Sequence, residues 1–226
     1  MTQFIFGYGT GRCGTQSLAH LLNLQQNSCV SHEMQGIHWW PVFSNYVGVK
    51  KRLAIREAKK YDLVGDIAYG WIQYIPQVIE DFPNAKFIHI WRDKDEVVES
   101  FWKAMQDRIN AIQTSPIWGT DTLWYSIYPF LGFPPSKVQI ANTYEVFHKI
   151  AEMAMFKYPY QIYTIKMESL NKTDSIKSLL DYVGIASSDQ VVKLVRANKG
   201  GQSPLSVNLV PRADITGKYK CNIMKM

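Results

Sequence analysis

The sequence predicts an α/β fold in three layers, a parallel sheet flanked by helices. Three observations carry that prediction. Short apolar runs alternate with helix-period patterns along the chain, the first run breaks into a glycine-rich loop that opens a helix, and the runs close on polar residues. In parallel sheets ligands collect beyond the carboxyl ends of the strands. The residues that close each run are therefore the candidates for function.

The first run, Gln3-Phe4-Ile5-Phe6, enters Gly7-Tyr8-Gly9-Thr10-Gly11-Arg12-Cys13-Gly14-Thr15-Gln16-Ser17 and resumes as a helix carrying Leu18, Ala19, Leu21, Leu22 and Leu24. Glycines let the backbone turn tightly with its N–H groups inward, and Ser17 is expected to cap the helix, whose first turn and dipole favour an anion. A phosphate or sulfate ester suits such a loop. The triphosphatase pattern G-x-x-x-x-G-K-[ST] needs a lysine where this chain has Thr15, which disfavours a nucleotide kinase or ATPase. The letters Gly9 to Gly14 also spell the dinucleotide fingerprint G-x-G-x-x-G, with Glu33 about 20 residues on, so an NAD-binding oxidoreductase stays open, as does a plain glycine turn.

Later elements follow in order. Residues 29–33 suit a second strand ending in His32 and Glu33, 50–60 a charged helix, and 63–65 a strand before a turn. Residues 71–81 read as a helix closed by Pro83, 86–91 as the clearest strand, and 95–108 as an amphipathic helix with Val97, Val98, Phe101 and Met105 on one side. Between 114 and 135 the texture turns to Trp, Tyr, Pro and Gly, an irregular aromatic segment suited to the acceptor side of a site or to core packing. Helices at 140–158 and 175–183 bracket a strand at 161–166, with Gly184 as a stop.

A chain of 226 residues fits one domain spanning 1–226, with 198–226 as a C-terminal loop and tail. The formal charge of +6, from 25 Lys+Arg against 19 Asp+Glu, suits an anionic ligand. No nucleic-acid partner is implied. Cys13, Cys29 and Cys221 are widely spaced, odd in number and without C-x-x-C spacing, so a disulfide scaffold and a zinc site are disfavoured and no metal is expected. Cys13 serves the turn as a small residue. The start of the chain lacks signal-peptide organisation, and no segment approaches the ~20 apolar residues of a membrane span, so the expected location is cytoplasmic.

A second motif follows the 86–91 strand: Arg92-Asp93-Lys94-Asp95-Glu96, with Ser100 eight residues after Arg92. An arginine closing a strand can present paired hydrogen bonds to a phosphate, although Arg-Asp at a strand end is also a common structural ion pair. Together with the first loop, the chain resembles the sulfotransferases that use 3′-phosphoadenosine 5′-phosphosulfate (PAPS). Their first signature, a strand and an R/K-S-G-T-T loop opening a helix, is matched by Arg12-Cys13-Gly14-Thr15-Gln16. Their second, a strand, Arg-Asp-Pro and a helix with Ser eight residues after the Arg, is matched by Arg92, Asp93 and Ser100. The run Phe82-Pro83-Asn84-Ala85-Lys86-Phe87 and the segment Tyr163 to Leu170, followed by Tyr182-Val183-Gly184, extend the likeness to most of the chain.

The resemblance implies a P-loop nucleotide hydrolase-like sulfotransferase fold and transfer of a sulfuryl group from PAPS, leaving 3′-phosphoadenosine 5′-phosphate (PAP), with no metal. It implies that backbone N–H groups of Cys13, Gly14, Thr15 and Gln16 and the hydroxyls of Thr15 and Ser17 hold the phosphosulfate. Arg92 and Ser100 would then hold the 3′-phosphate, with Lys199 of Arg196-Ala197-Asn198-Lys199-Gly200-Gly201 a further candidate. Arg12 becomes the cation at the bridging oxygen and Glu33 the base, with His32 behind it. The acceptor is expected to be a hydroxyl or amine of a carbohydrate, lipid or peptide, the branch being closer to carbohydrate and protein enzymes than to the steroid and phenol ones. Departures from the family pattern are Lys94 for the usual Pro, Met167 for Tyr, and no lysine near Asp66, which leaves a non-catalytic nucleotide-binding or polyanion-binding member open.

Overall fold

A computed structural model describes residues 2–33, 46–58, 60–114 and 136–194. Five strands, β1 (Gln3–Tyr8), β2 (Ser28–His32), β3 (Leu63–Ile67), β4 (Lys86–Trp91) and β5 (Ile162–Lys166), form one sheet in the order β2-β3-β1-β4-β5. Every pairing is parallel. The predicted α/β architecture is therefore the observed one. β1 lies between β3 and β4, so the strand order reverses at its C-terminal end. Dinucleotide-binding sheets run 3-2-1-4-5-6, with strand 1 beside strand 2, so the G-x-G-x-x-G letters here sit in a different topology.

Among the described residues, six α-helices cover the two faces: α1 (Thr15–Asn23), α2 (Tyr46–Ala58), α3 (Ile75–Asp81), α4 (Lys94–Thr114), α5 (Lys137–Lys157) and α6 (Thr173–Val183). The period-2 alternation of the strands assigns side chains to the faces. Phe4, Phe6 and Tyr8 of β1 and Phe87 of β4 join a core with Leu53, Val98, Phe101 and Phe147 from α2, α4 and α5. Ile5, Ile88 and Ile90 face the opposite core, made with Leu18, Leu21 and Leu22 of α1 and Ile176, Leu179 and Leu180 of α6. Phe6 is fully buried and packs 4.5 Å from the Trp71 ring and 5.6 Å from Phe87, and burying one such side chain stabilises by about 1.5–3 kcal/mol.

Three expectations need correction. The strand expected at 63–65 continues as β3 through Asp66 to Ile67, which moves Asp66 from a turn into the sheet. The helix expected at 71–81 is a 3-10 segment, Tyr69–Tyr74, followed by α3, because Pro76 lacks an N–H and begins a new helix rather than continuing one. α5 starts ahead of 140 because Ser136 and Gln139 form a reciprocal capping box, with bonds of 3.1 and 2.7 Å. The stop at Gly184 is as expected: it closes α6 at φ 90°, a conformation glycine adopts without Cβ strain. Residues 115–135 of the aromatic segment and the 198–226 tail lie outside the described residues.

Candidate active site

The loop between β1 and α1 is shaped by left-handed backbone at Gly11 (φ 77°), Arg12 (φ 56°) and Gly14 (φ 96°). Gly14 is the N-cap of α1, and no side chain caps the helix, so Ser17 lies inside the first turn instead of at the cap. The left-handed turn at Gly14 starts the helix earlier than the hydroxyl pattern implied. A Cβ at Gly14 would also come within 2.6 Å of Met167 Cγ, so the position excludes a side chain on two counts. No acidic residue occupies the first turn of α1. Cys13 is fully buried, and burial pushes its thiol up to about 11, which keeps it protonated and packing as a small apolar residue.

The two sequence motifs meet. Arg12 Nε donates to Ser100 Oγ at 3.2 Å, joining the loop after β1 to the second turn of α4. Arg92, at the end of β4, donates from Nε to Glu96 Oε2 at 2.9 Å and lies 3.7 Å from Glu168 Oε1. Its carbonyl accepts from the Tyr144 hydroxyl at 2.8 Å, which fixes the exit of β4 against α5. Asp93 Oδ1 accepts from the Asp95 N–H at 3.0 Å and so caps α4, with Lys94 at the first helical position. Lysine there costs the helix start nothing that this cap does not supply.

His32 and Glu33 close β2 on the same edge of the sheet. His32 Nε2 lies 3.1 Å from the Thr15 hydroxyl and 3.9 Å from Glu33 Oε1. The His32 side chain is mostly sheltered, at 12% exposed, while that of Glu33 is 59% exposed. Glu33 adopts φ 53°, a left-handed conformation uncommon for glutamate, and its N–H is held by the Ile67 carbonyl at 2.9 Å. Asp66 is fully buried. Its oxygens accept from the Ser31 hydroxyl at 2.6 Å and the Trp71 indole N–H at 2.8 Å, so it braces the sheet beneath the site.

Thus Arg12, Cys13, Gly14, Thr15, Gln16 and Ser17 gather at the start of α1, with Ser100 bonded to Arg12, His32 beside Thr15 and Glu33 next to His32. Arg92 ends the neighbouring strand. Lys199 lies outside the described residues. Sequence reasoning missed Tyr144 and Glu168 as partners of Arg92, because contacts between elements 52 and 76 residues apart carry no local signature. Among the described residues, no three His, Cys, Asp or Glu side chains converge as a metal site, and no helix is long and apolar enough to cross a membrane.

Residues 4–133, more than half of the chain, match the family described as "Sulfotransferase domain". The chain belongs to the sulfotransferase family. One solved structure agrees on the fold of this sulfotransferase: a sulfotransferase from Alicyclobacillus acidocaldarius superposes with a TM-score of 0.55 at 11% identity, over 87% of this chain and 85% of that one. Mouse sulfotransferase SULT7A1 complexed with PAP matches at a TM-score of 0.46 and 16% identity, over 81% of this chain and 60% of that one. No curated protein matches the sequence.

Proposed function

We propose that this sulfotransferase moves a sulfuryl group from PAPS to a hydroxyl or amine of an acceptor, a carbohydrate or a polypeptide. The observation that carries the proposal is the Arg12–Ser100 hydrogen bond, which joins the glycine-rich loop after β1 to α4, the helix that follows Arg92. Further support comes from the start of α1, which has no side-chain cap hydrogen bond and no acidic residue in its first turn, and so suits an anionic group. On this reading the backbone of residues 13–17, with the Thr15 and Ser17 hydroxyls, holds the 5′-phosphosulfate, and Arg92 and Ser100 hold the 3′-phosphate. Lys199 is a further candidate for that phosphate.

In the transfer, the acceptor oxygen forms a bond to sulfur while the bond from sulfur to the bridging oxygen breaks. The acceptor proton passes to the Glu33 carboxylate, and the charge developing on the bridging oxygen is met by the Arg12 guanidinium. His32, between Thr15 and Glu33, would position the base relative to the donor loop. Anchoring the donor at both phosphates fixes sulfur in line with the acceptor, and positioning of this kind can supply several kcal/mol.

Two measurements test the proposal. PAP should raise the melting temperature, and ATP with magnesium or NAD should not; stronger stabilisation by either of the latter overturns the donor assignment. Glu33→Gln should lower donor consumption, assayed over a panel of glycans and peptides, by about 10²–10⁴-fold while sparing PAP affinity. Retained turnover removes Glu33 from the role of base.

A further inference from the structure

Arg92 does not stand alone at the end of β4. Its Nε donates to Glu96, and Glu168 Oε1 lies 3.7 Å away. Glu168 Oε2 is in turn 3.9 Å from Lys166 Nζ, whose ammonium sits 5.2 Å from the centre of the Trp91 ring. The two glutamates differ in kind. Glu96 is half exposed and lies in the first turn of α4, where water and the helix dipole both stabilise a carboxylate. In Glu168, 40% of the side chain is exposed, yet both carboxylate oxygens are shielded from solvent and neither has a hydrogen-bond partner. A carboxylate that has given up water for ion pairs beyond hydrogen-bond distance keeps much of its field unscreened.

The backbone holds Glu168 in place. It lies in the 3-10 segment Met167–Asn171, directly after β5 and beside β4, with Trp91 and Lys166 in register. Met167 packs over Gly14 and Leu170 is buried, so the segment is pinned on both sides of the glutamate. A phosphate dianion arriving at Arg92 must therefore share the guanidinium with a carboxylate that has little room to withdraw.

We propose that Glu168 is a counter-charge that keeps the Arg92 subsite below the phosphate affinity the arginine alone would give, so that the nucleotide product can leave after transfer. The inference rests on the reading of Arg92 as the 3′-phosphate ligand. Glu168 acts through Arg92 and is a positioning residue, not a catalytic one.

Calorimetric titration of the purified chain with PAP and with 5′-AMP, which lacks the 3′-phosphate, tests both layers. Arg92→Ala should weaken PAP by about tenfold or more and leave 5′-AMP unchanged; equal PAP affinity overturns the assignment of Arg92 itself. Glu168→Gln should tighten PAP by about three- to tenfold, the scale of one partly exposed charge pair, with 5′-AMP unchanged and the gain shrinking at high salt. Glu168→Asp keeps the charge and should stay near the parent affinity. With Arg92→Ala behaving as expected, the counter-charge role is overturned if Glu168→Gln binds PAP no more tightly than the parent, or tightens PAP and 5′-AMP alike. Glu168→Ser, smaller and uncharged, gives the same reading if the glutamine variant does not fold.

Discussion

The loop after β1 and the turn after β4 end neighbouring parallel strands on the same edge of the sheet, but they are built by different means. After β1 the work is done by backbone: left-handed Gly11, Arg12 and Gly14, a helix start without a side-chain cap, and no acid in the first turn. After β4 it is done by side chains: Arg92 engaged by Glu96 and Glu168, and its carbonyl held by Tyr144. Backbone N–H groups present fixed partial charges that need no counter-ion, whereas an arginine brings a full charge that neighbouring carboxylates can moderate. The first corner is suited to a group that must be held rigidly during bond exchange, the second to an anchor that must also be released.

The sharpest way to break this contrast is at Arg12, the one side chain of the first corner that carries a full charge. Arg12→Ala should cut turnover by about 10²–10³-fold, the loss expected when one preorganised donor to developing charge is removed, with a far smaller change in PAP affinity. Steady-state kinetics beside PAP titration separates the two; a loss confined to affinity would make Arg12 a second Arg92.

Next in size is the support beneath β2, which carries His32 and Glu33. Asp66→Ala leaves the Trp71 indole N–H unsatisfied in the core and strips the Ser31 hydroxyl of its shorter bond, leaving the one at 3.3 Å to the Gly65 carbonyl, and should cost about 3 kcal/mol. A fall in melting temperature of roughly 6–12 °C is the corresponding readout for a chain of this size. Near-parental stability would show that the brace is dispensable.

The smallest effect concerns the floor of the second corner. His89 on β4 is 2% exposed, stacks 5.1 Å from the Tyr8 ring and lies 5.4 Å from His148. Burial, reinforced by His148, pushes its pKa down to about 3. The unfolded chain therefore takes up a proton near pH 6.5 that the folded chain refuses, so this stability is present above pH 6.5 and is lost as pH falls toward 3. The loss should be about 2 kcal/mol between pH 7 and pH 5, measured by urea unfolding, and His89→Leu should flatten it. An unchanged slope in that variant would assign the acid sensitivity to other groups.

How much was legible in advance follows from the range of the forces. β4 at Lys86–Trp91 was readable residue for residue, because a buried parallel strand declares itself as an unbroken apolar run between turn signals. Gly184 was readable as a stop for the same local reason. The brace at Asp66 was not legible, because its donors sit 35 and 5 residues away in the sequence. The strain at Arg12 and Glu33 was also invisible: left-handed backbone at a non-glycine residue is enforced by surrounding structure, not by the residue's own preference.

By itself the sequence determined the alternation of strands and helices, the glycine-rich loop with its single arginine, and the Arg92 and Ser100 spacing, because periodicity, turn chemistry and motif spacing act over a few residues. Only the tertiary structure decided that Arg12 meets Ser100, that His32 reaches Thr15, that Asp66 is a brace, and that Glu168 stands beside Arg92. Those pairings depend on which strands lie side by side, and strand order is set by how the helices bury both faces of the sheet at once.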